Sequence, residues 1–204
     1  MRVGVLVSGT GTNLQALIDS QARGALAPAE LALVVSNKPG VQALARAEAA
    51  NIPAVVIEHR GLDRVVFEDR VLATLASHRV ELVVLAGFMR VLTAHFTDRF
   101  PLRIINTHPS LLPAFPGVDA PAQAIAHGAR VSGVTVHFVD ASLDGGPIIE
   151  QIAVRIDPDD DSAALHARIQ REEHRLLPEV VRRLAAGELS CKGRTVMHVR
   201  RGAD

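Results

Sequence analysis

The chain contains no tryptophan, no tyrosine and a single cysteine in 204 residues. Six phenylalanines are its only Phe, Trp or Tyr rings, so it offers no platform of flat side chains for stacking bases. The lone Cys191 closes no internal disulfide and supplies too few thiolates for a structural zinc site, which predicts a cytoplasmic protein. Neither charge sign dominates. Lys plus Arg and Asp plus Glu each total 22, so no overall basic field exists to hold nucleic acid. Long apolar runs are also missing. The run at residues 3–7 breaks at Ser8-Gly9-Thr10-Gly11, too short for a signal peptide or a membrane span. What remains is a chain with 48% hydrophobic residues, ample for a buried core.

Short Val, Leu and Ile runs at residues 3–7, 31–35, 54–57 and 82–86 read as strands buried on both faces. Between them, Leu14, Leu17 and Ile18 mark one helix, Val41, Leu44 and Ala45 a second, and Val65, Val66, Val71, Leu72 and Leu75 a third. Strands alternating with helices at this spacing predict an α/β fold with a doubly wound, mostly parallel sheet, Rossmann-like in its N-terminal half, and helices on both faces. Further strands are expected at 102–106, 132–138 and 148–156, with a proline- and glycine-rich loop over 107–119 and a short helix over 123–127. A last helix spans roughly 162–186, behind the acidic run Asp157-Pro158-Asp159-Asp160-Asp161, with Pro178 as a kink point. Residues 194–201 suggest an added strand whose arginines only solvate it. No repeat or long linker divides the chain, so one domain over 1–204 is expected.

Two stretches look like reactive loops: Ile104-Ile105-Asn106-Thr107-His108-Pro109-Ser110-Leu111-Leu112-Pro113 and Leu143-Asp144-Gly145-Gly146-Pro147. Asn106 and His108, two residues apart on an extended chain, point the same way and are able to donate hydrogen bonds to one oxygen. A carboxylate such as Asp144 beside His108 favours its charged form, which donates from both nitrogens. An amide and an imidazolium aimed at one point suit the oxyanion formed when an amine attacks a carbonyl, that is, acyl transfer without a covalent enzyme intermediate. Taken singly, a His before Pro reads as the cap of a strand, and Asp-Gly-Gly-Pro is first of all a turn. Together they form a candidate catalytic set.

Ser8-Gly9-Thr10-Gly11-Thr12-Asn13 follows the first strand and opens the first helix, where glycine and unpaired N–H groups suit an anion. Two details count against a nicotinamide site. The third glycine of that fingerprint would fall at Leu14, and the second strand ends in Ser36-Asn37-Lys38 with no acid for a ribose. A mononucleotide phosphate fits better. The segment Leu82-Val83-Val84-Leu85-Ala86-Gly87-Phe88-Met89-Arg90-Val91-Leu92 stays apolar beyond its strand, which suggests a pocket wall.

Asn106-Thr107-His108-Pro109-Ser110-Leu111-Leu112-Pro113 resembles the signature of the folate-dependent formyltransferases, and the similarity runs from Val3 to a helix ending near Ala186. Within that group the chain is most similar to the branch acting on glycinamide ribonucleotide in purine synthesis. The resemblance implies formyl transfer from 10-formyltetrahydrofolate, as co-substrate, to the amine of that ribonucleotide. It implies Asn106, His108 and Asp144 as catalytic residues, with His137 in a supporting role. Asn106 would hold the formyl oxygen, His108 would act as acid, and Asp144 would keep His108 charged and order a proton-relaying water. It further implies ribonucleotide contacts from Gly11, Thr12, Asn13, Gln170, Arg171, Glu172 and Glu173. Folate contacts would come from Arg64, Met89, Arg90, Val91, Leu92, Asn106, Asp140, Ala141, Ser142, Leu143 and Asp144, with Arg64 meeting the glutamate tail. Residues 1–100 would form the phosphate-binding half and 101–204 the catalytic and folate-binding half of one sheet. Small-molecule substrates are expected, with no nucleic acid, no membrane and no metal, and a homodimer is left open.

The chain also departs from its relatives. Within residues 113–124, the positions where some members carry Lys and extra His are apolar, acidic or proline, which argues against ligand contacts from this loop. Thr12 stands where Ser is common and keeps the hydroxyl. Outside the resemblance, Gln170-Arg171-Glu172-Glu173 reads as an ordinary solvated helix face. A metal centre built on His108, His137 and Asp144 is disfavoured by its spacing. The methionyl-tRNA transferase would need a basic C-terminal domain, and the 10-formyltetrahydrofolate hydrolase a regulatory domain ahead of the first strand; neither is expected here. A silent nucleotide-binding module would keep the loop 8–13 and lose the charged His.

Overall fold

A computed structural model describes residues 1–199. Its elements follow in order as β1 (Arg2–Val7), α1 (Thr12–Ala22), β2 (Glu30–Ser36), α2 (Gln42–Ala49), β3 (Ala54–Val56), α3 (Arg64–Ser77), β4 (Leu82–Leu85), α4 (Ala94–Thr97), β5 (Ile104–His108), α5 (Ala120–Ala126), β6 (Val131–Phe138), β7 (Ile148–Arg155), α6 (Ser162–Ala185), β8 (Leu189–Lys192) and β9 (Thr195–His198). Seven strands form one sheet in the order β3-β2-β1-β4-β5-β6-β7, while β8 and β9 pair separately. The strands β3, β2, β1, β4 and β5 are parallel. β6 runs antiparallel to β5, and β7 antiparallel to β6.

Side-chain alternation divides the core. Val3, Val5 and Val7 of β1 pack with α1, α2, α5 and α6, whereas Leu6 packs with Phe67, Val71 and Leu75 of α3 and Phe96 of α4. A strand covered on both faces needs apolar residues at every position, which is why these strands read as continuous hydrophobic runs. β3 is the exception. As an outer strand it leaves Ala54 and Val56 exposed, so the expectation of burial on both faces fails there. The chain winds outward from β1 through β2 to β3, then returns through α3 to place β4 on the other side of β1. The strand order thus reverses between β1 and β4, the place where open α/β sheets bind ligands, at the carboxyl ends of their strands.

The strand that carries the candidate catalytic pair differs from expectation in its bounds. β5 spans Ile104–His108 rather than 102–106, because β6 pairs with it through Thr107↔Val136 and His108↔Thr135. Leu102, at φ 53, belongs to the turn before the strand. α4 and β8 are too short to leave a periodic signature. The expected C-terminal strand is β9, paired with β8, while Arg200 and Arg201 lie outside the described residues. α6 runs unbroken through Pro178, and Asp161 caps it by accepting a hydrogen bond from Ala164 N at 2.7 Å.

Candidate active site

β5 delivers Asn106 and His108 to one face of the sheet, and the turn after β6 delivers Asp144. Asp144 Oδ2 lies 3.5 Å from His108 Nδ1, and its Oδ1 lies 3.8 Å from His137 Nε2. The other nitrogen of His108, Nε2, lies 2.8 Å from the Phe115 carbonyl oxygen. A carboxylate and a carbonyl are both acceptors only, so both ring nitrogens face groups that suit an N–H. Gly117 N donates to Asp144 Oδ2 at 2.8 Å. The residues 115–117 thus close over the pair, and His108 is only 4% exposed. The three expected catalytic residues do come together, but beneath cover rather than on an open cavity wall.

Asn106 does not share an acceptor with His108 here. Its Nδ2 lies 3.3 Å from Nε2 of His137, the residue paired with it across the β5–β6 ladder. His137 Nδ1 lies 2.8 Å from the Phe138 carbonyl, so Nδ1 carries the proton and Nε2 accepts from Asn106. Burial pushes the His137 pKa below 6.5, opposed by the Phe138 carbonyl and the Asp144 charge. A neutral His137 therefore fixes the orientation of the Asn106 amide. The bulge between Val136 and His137, where β7 carries an extra residue, lies at this point in the ladder.

This burial has a pH consequence. An unfolded His137 takes up a proton as pH falls through 6.5, while the folded ring resists it. The unfolded state then binds more protons, so the His137 contribution is complete above that value and declines below it. Denaturant midpoints at pH 7.5 and 5.5 are expected to fall further for the natural protein than for His137→Asn. Equal falls would contradict the assignment.

The loop expected to hold a phosphate, residues 8–13, follows β1 and opens α1. Gly11, at φ 72, is the N-cap of α1, and a Cβ there would lie 2.6 Å from Ala43 Cβ and 2.9 Å from Ala43 Cα. Only glycine meets both demands. Gly11→Ala is expected to raise the KM for a phosphorylated substrate about tenfold or more, since left-handed strain alone costs roughly 1–2 kcal/mol. An unchanged KM would show that the loop does not hold the phosphate.

α6 closes the other side of the loop. Gln170 Nε2 donates to Thr12 Oγ1 at 3.1 Å. Glu173 accepts from Asn13 Nδ2 at 3.3 Å and from Thr107 Oγ1 at 3.2 Å. It is only 5% exposed, which overturns its solvated-face reading. The sequence did hold the signal, because Glu173 occupies the core stripe of α6, four residues after Ile169 and three before Leu176. Arg171 and Glu172 point elsewhere. Arg171 is exposed, and Glu172 pairs with Arg175 at 2.9 Å. Asn13 Oδ1 is buried without a partner among the described residues, leaving an acceptor facing the same charged corner.

Of the expected folate residues, Met89 and Val91 are exposed apolar side chains. Arg90 lies over the Phe67 ring at 5.0 Å. Leu92 sits in the core beside Phe67 and Phe96, so its side chain is no pocket wall and only its backbone is available. Asp140 folds a turn by accepting from Ser142 N at 2.8 Å, which exposes Ala141, Ser142 and Leu143 and turns Asp144 inward. Arg64 is exposed at the start of α3, free of ion pairs among the described residues. One C-terminal arginine does more than solvate its strand: Arg194 donates to the Gly145 carbonyl at 2.8 Å, bracing the turn that carries Asp144. Among the described residues, no three of His, Cys, Asp and Glu are grouped to hold a metal ion, and no helix is long and apolar enough to cross a membrane.

Comparison with known proteins gives this geometry a family. The formyl transferase family model matches residues 1–181. A phosphoribosylglycinamide formyltransferase of Bacillus subtilis is 40% identical, covering 88% of this chain and 92% of its own length. The trifunctional purine biosynthetic protein adenosine-3 of Drosophila melanogaster is 48% identical, and the chain spans 14% of that protein's length. Among solved structures, glycinamide ribonucleotide transformylase 1 from Symbiobacterium toebii superposes with a TM-score of 0.95 at 44% identity, covering 98% of this chain and 94% of that one. A formyltetrahydrofolate deformylase from Burkholderia mallei superposes with a TM-score of 0.88 at 29% identity, covering 98% and 70%. With the family model spanning most of its length and the expected fold in place, the chain belongs to the formyl transferase family.

Proposed function

We propose that this protein transfers the formyl group of 10-formyltetrahydrofolate to the amine of glycinamide ribonucleotide, acting on small molecules in the cytoplasm as one unit. The observation that carries the reading is the His108 ring, flanked at both nitrogens by acceptors, one of them the Asp144 carboxylate. In this scheme the amine nitrogen attacks the formyl carbon and the carbonyl electron pair moves onto oxygen. His108 and Asn106 donate to that oxyanion, Asp144 holds the His108 charge, and collapse expels the folate nitrogen. The proton lost by the amine reaches the departing nitrogen through an ordered water, so charge and atoms balance.

The ribonucleotide phosphate binds the loop at Gly11, Thr12 and Asn13 and the N-terminus of α1. Glu173, Gln170 and the unpartnered Asn13 oxygen receive its ribose or amine hydrogens. Met89, Val91 and Leu143 form the apolar rim for the folate, Arg90 and Leu92 contribute backbone groups, and Arg64 meets its carboxylates. The Phe115 carbonyl occupies an imidazole proton that the reaction needs, so the residues 115–117 yield when substrate enters.

The deciding experiment supplies purified protein with 10-formyltetrahydrofolate, with and without glycinamide ribonucleotide, and follows release of tetrahydrofolate. Turnover only with the ribonucleotide is expected. Turnover without it would favour hydrolysis, the second reading, prompted by the deformylase likeness. No turnover in either tube would favour a silent nucleotide-binding module.

A further inference from the structure

We propose that Ser8 is a positioning residue that couples the two substrate subsites, holding the folate loop in register with the phosphate loop. The proposal rests on the subsites proposed above. Ser8 is the first residue after β1, 5% exposed, at the point where the order of the sheet reverses. Its hydroxyl oxygen accepts from the Met89 backbone N–H at 2.9 Å, and its proton goes to Asn37 Oδ1 at 2.7 Å. The direction of this chain is forced. A backbone N–H only donates, so the Ser8 proton has one remaining destination, which fixes the orientation of the Asn37 amide.

The hydroxyl therefore joins three loops, those following β1, β2 and β4. Asn37 is itself 2% exposed, with Nδ2 3.3 Å from His59 Nδ1. The ring of His59 meets Phe67 edge-on at 6.3 Å, and Arg90 lies over that same Phe67. Farther along, Thr93 N donates to the buried Glu68 carboxylate at 2.9 Å, fixing the exit of the loop. Residues 89 and 90 are thus held through a network that begins at the phosphate loop. A ligand that orders Gly9–Asn13 also orders Ser8, and through it the Met89 amide. Ligand ordering at one end then lowers the entropy cost of ordering the other, which is cooperative binding without a large movement.

The test is calorimetric titration of tetrahydrofolate with and without glycinamide ribonucleotide, a pair that does not react. In the natural protein each ligand is expected to tighten the other by about fivefold or more, within the usual range of site-to-site coupling. In Ser8→Ala this factor falls towards one, tetrahydrofolate binds roughly tenfold more weakly, and the Met89 amide exchanges faster with solvent. Asn37→Ala, which leaves the hydroxyl but removes its acceptor, loses part of the coupling, and the double variant is no worse than Ser8→Ala. Natural coupling retained in folded Ser8→Ala would overturn the proposal. Failure of both single variants to fold would overturn it too, assigning the network to the fold alone. A natural protein that binds both ligands without coupling refutes this proposal but leaves the functional reading standing, whereas one that binds neither refutes both.

Discussion

Replacing His108 with alanine is expected to lower kcat by roughly a thousandfold while leaving both KM values within a few-fold. The expectation follows from where the charge develops. Loss of one preorganised oxyanion donor costs about 10²–10³ in rate, and loss of a positioned acid about 10²–10⁴. His108 is the oxyanion donor in the proposed scheme, and its charge strengthens that donation, which places the loss at the upper end of the first range. A thousandfold corresponds to about 4 kcal/mol of transition-state stabilisation. Some loss of stability accompanies it, since the substitution leaves the Phe115 carbonyl and the Asp144 carboxylate without the ring they face. That cost appears in the denaturant midpoint, separable from kcat by assaying well below the unfolding transition. A folded His108→Ala protein with natural kcat would end the mechanism.

The residues that made His108 legible are short-range. Asn106, Thr107 and His108 end an apolar strand, and polar residues where a buried strand should stay apolar announce a site. The alternation of strand and helix was legible for the same reason, because one buried face per helix and two per strand leave distinct periods. The cover over His108 was not legible. It is made by a backbone carbonyl at Phe115 and a backbone N–H at Gly117, groups that every residue of their kind carries and no side chain advertises. Nor was the Ser8 link to Met89, which spans 81 positions of sequence and again ends on a backbone amide. Leu92 misled in the opposite sense. An apolar residue beyond a strand suggests a ligand wall, yet here it fills the core between α3 and α4, an element too short to predict.

Asp144 allows a cleaner test of charge than His108 does. Its φ is 50, in the left-handed region where Asn and Asp are tolerated and most residues are strained. Asp144→Asn therefore keeps the turn, and its remaining oxygen still accepts from Gly117 N. Because Gly117 N and His108 Nδ1 both face Oδ2, that oxygen stays opposite the ring and the new amide group takes the Oδ1 position beside His137 Nε2, so the change removes the negative charge that favours a protonated His108. The contacts of the turn survive, and the carboxylate charge does not. kcat is expected to fall by roughly 10²–10³, the magnitude typical for loss of one electrostatic stabiliser, with little change in the unfolding midpoint. Asp144→Ala should match it in kcat but lose a further 1–2 kcal/mol of stability, the approximate cost of placing alanine in the left-handed region. The pair separates the two demands on this residue. Equal stabilities would show that the backbone there is unstrained, and full activity in Asp144→Asn would show that the carboxylate charge takes no part in the reaction.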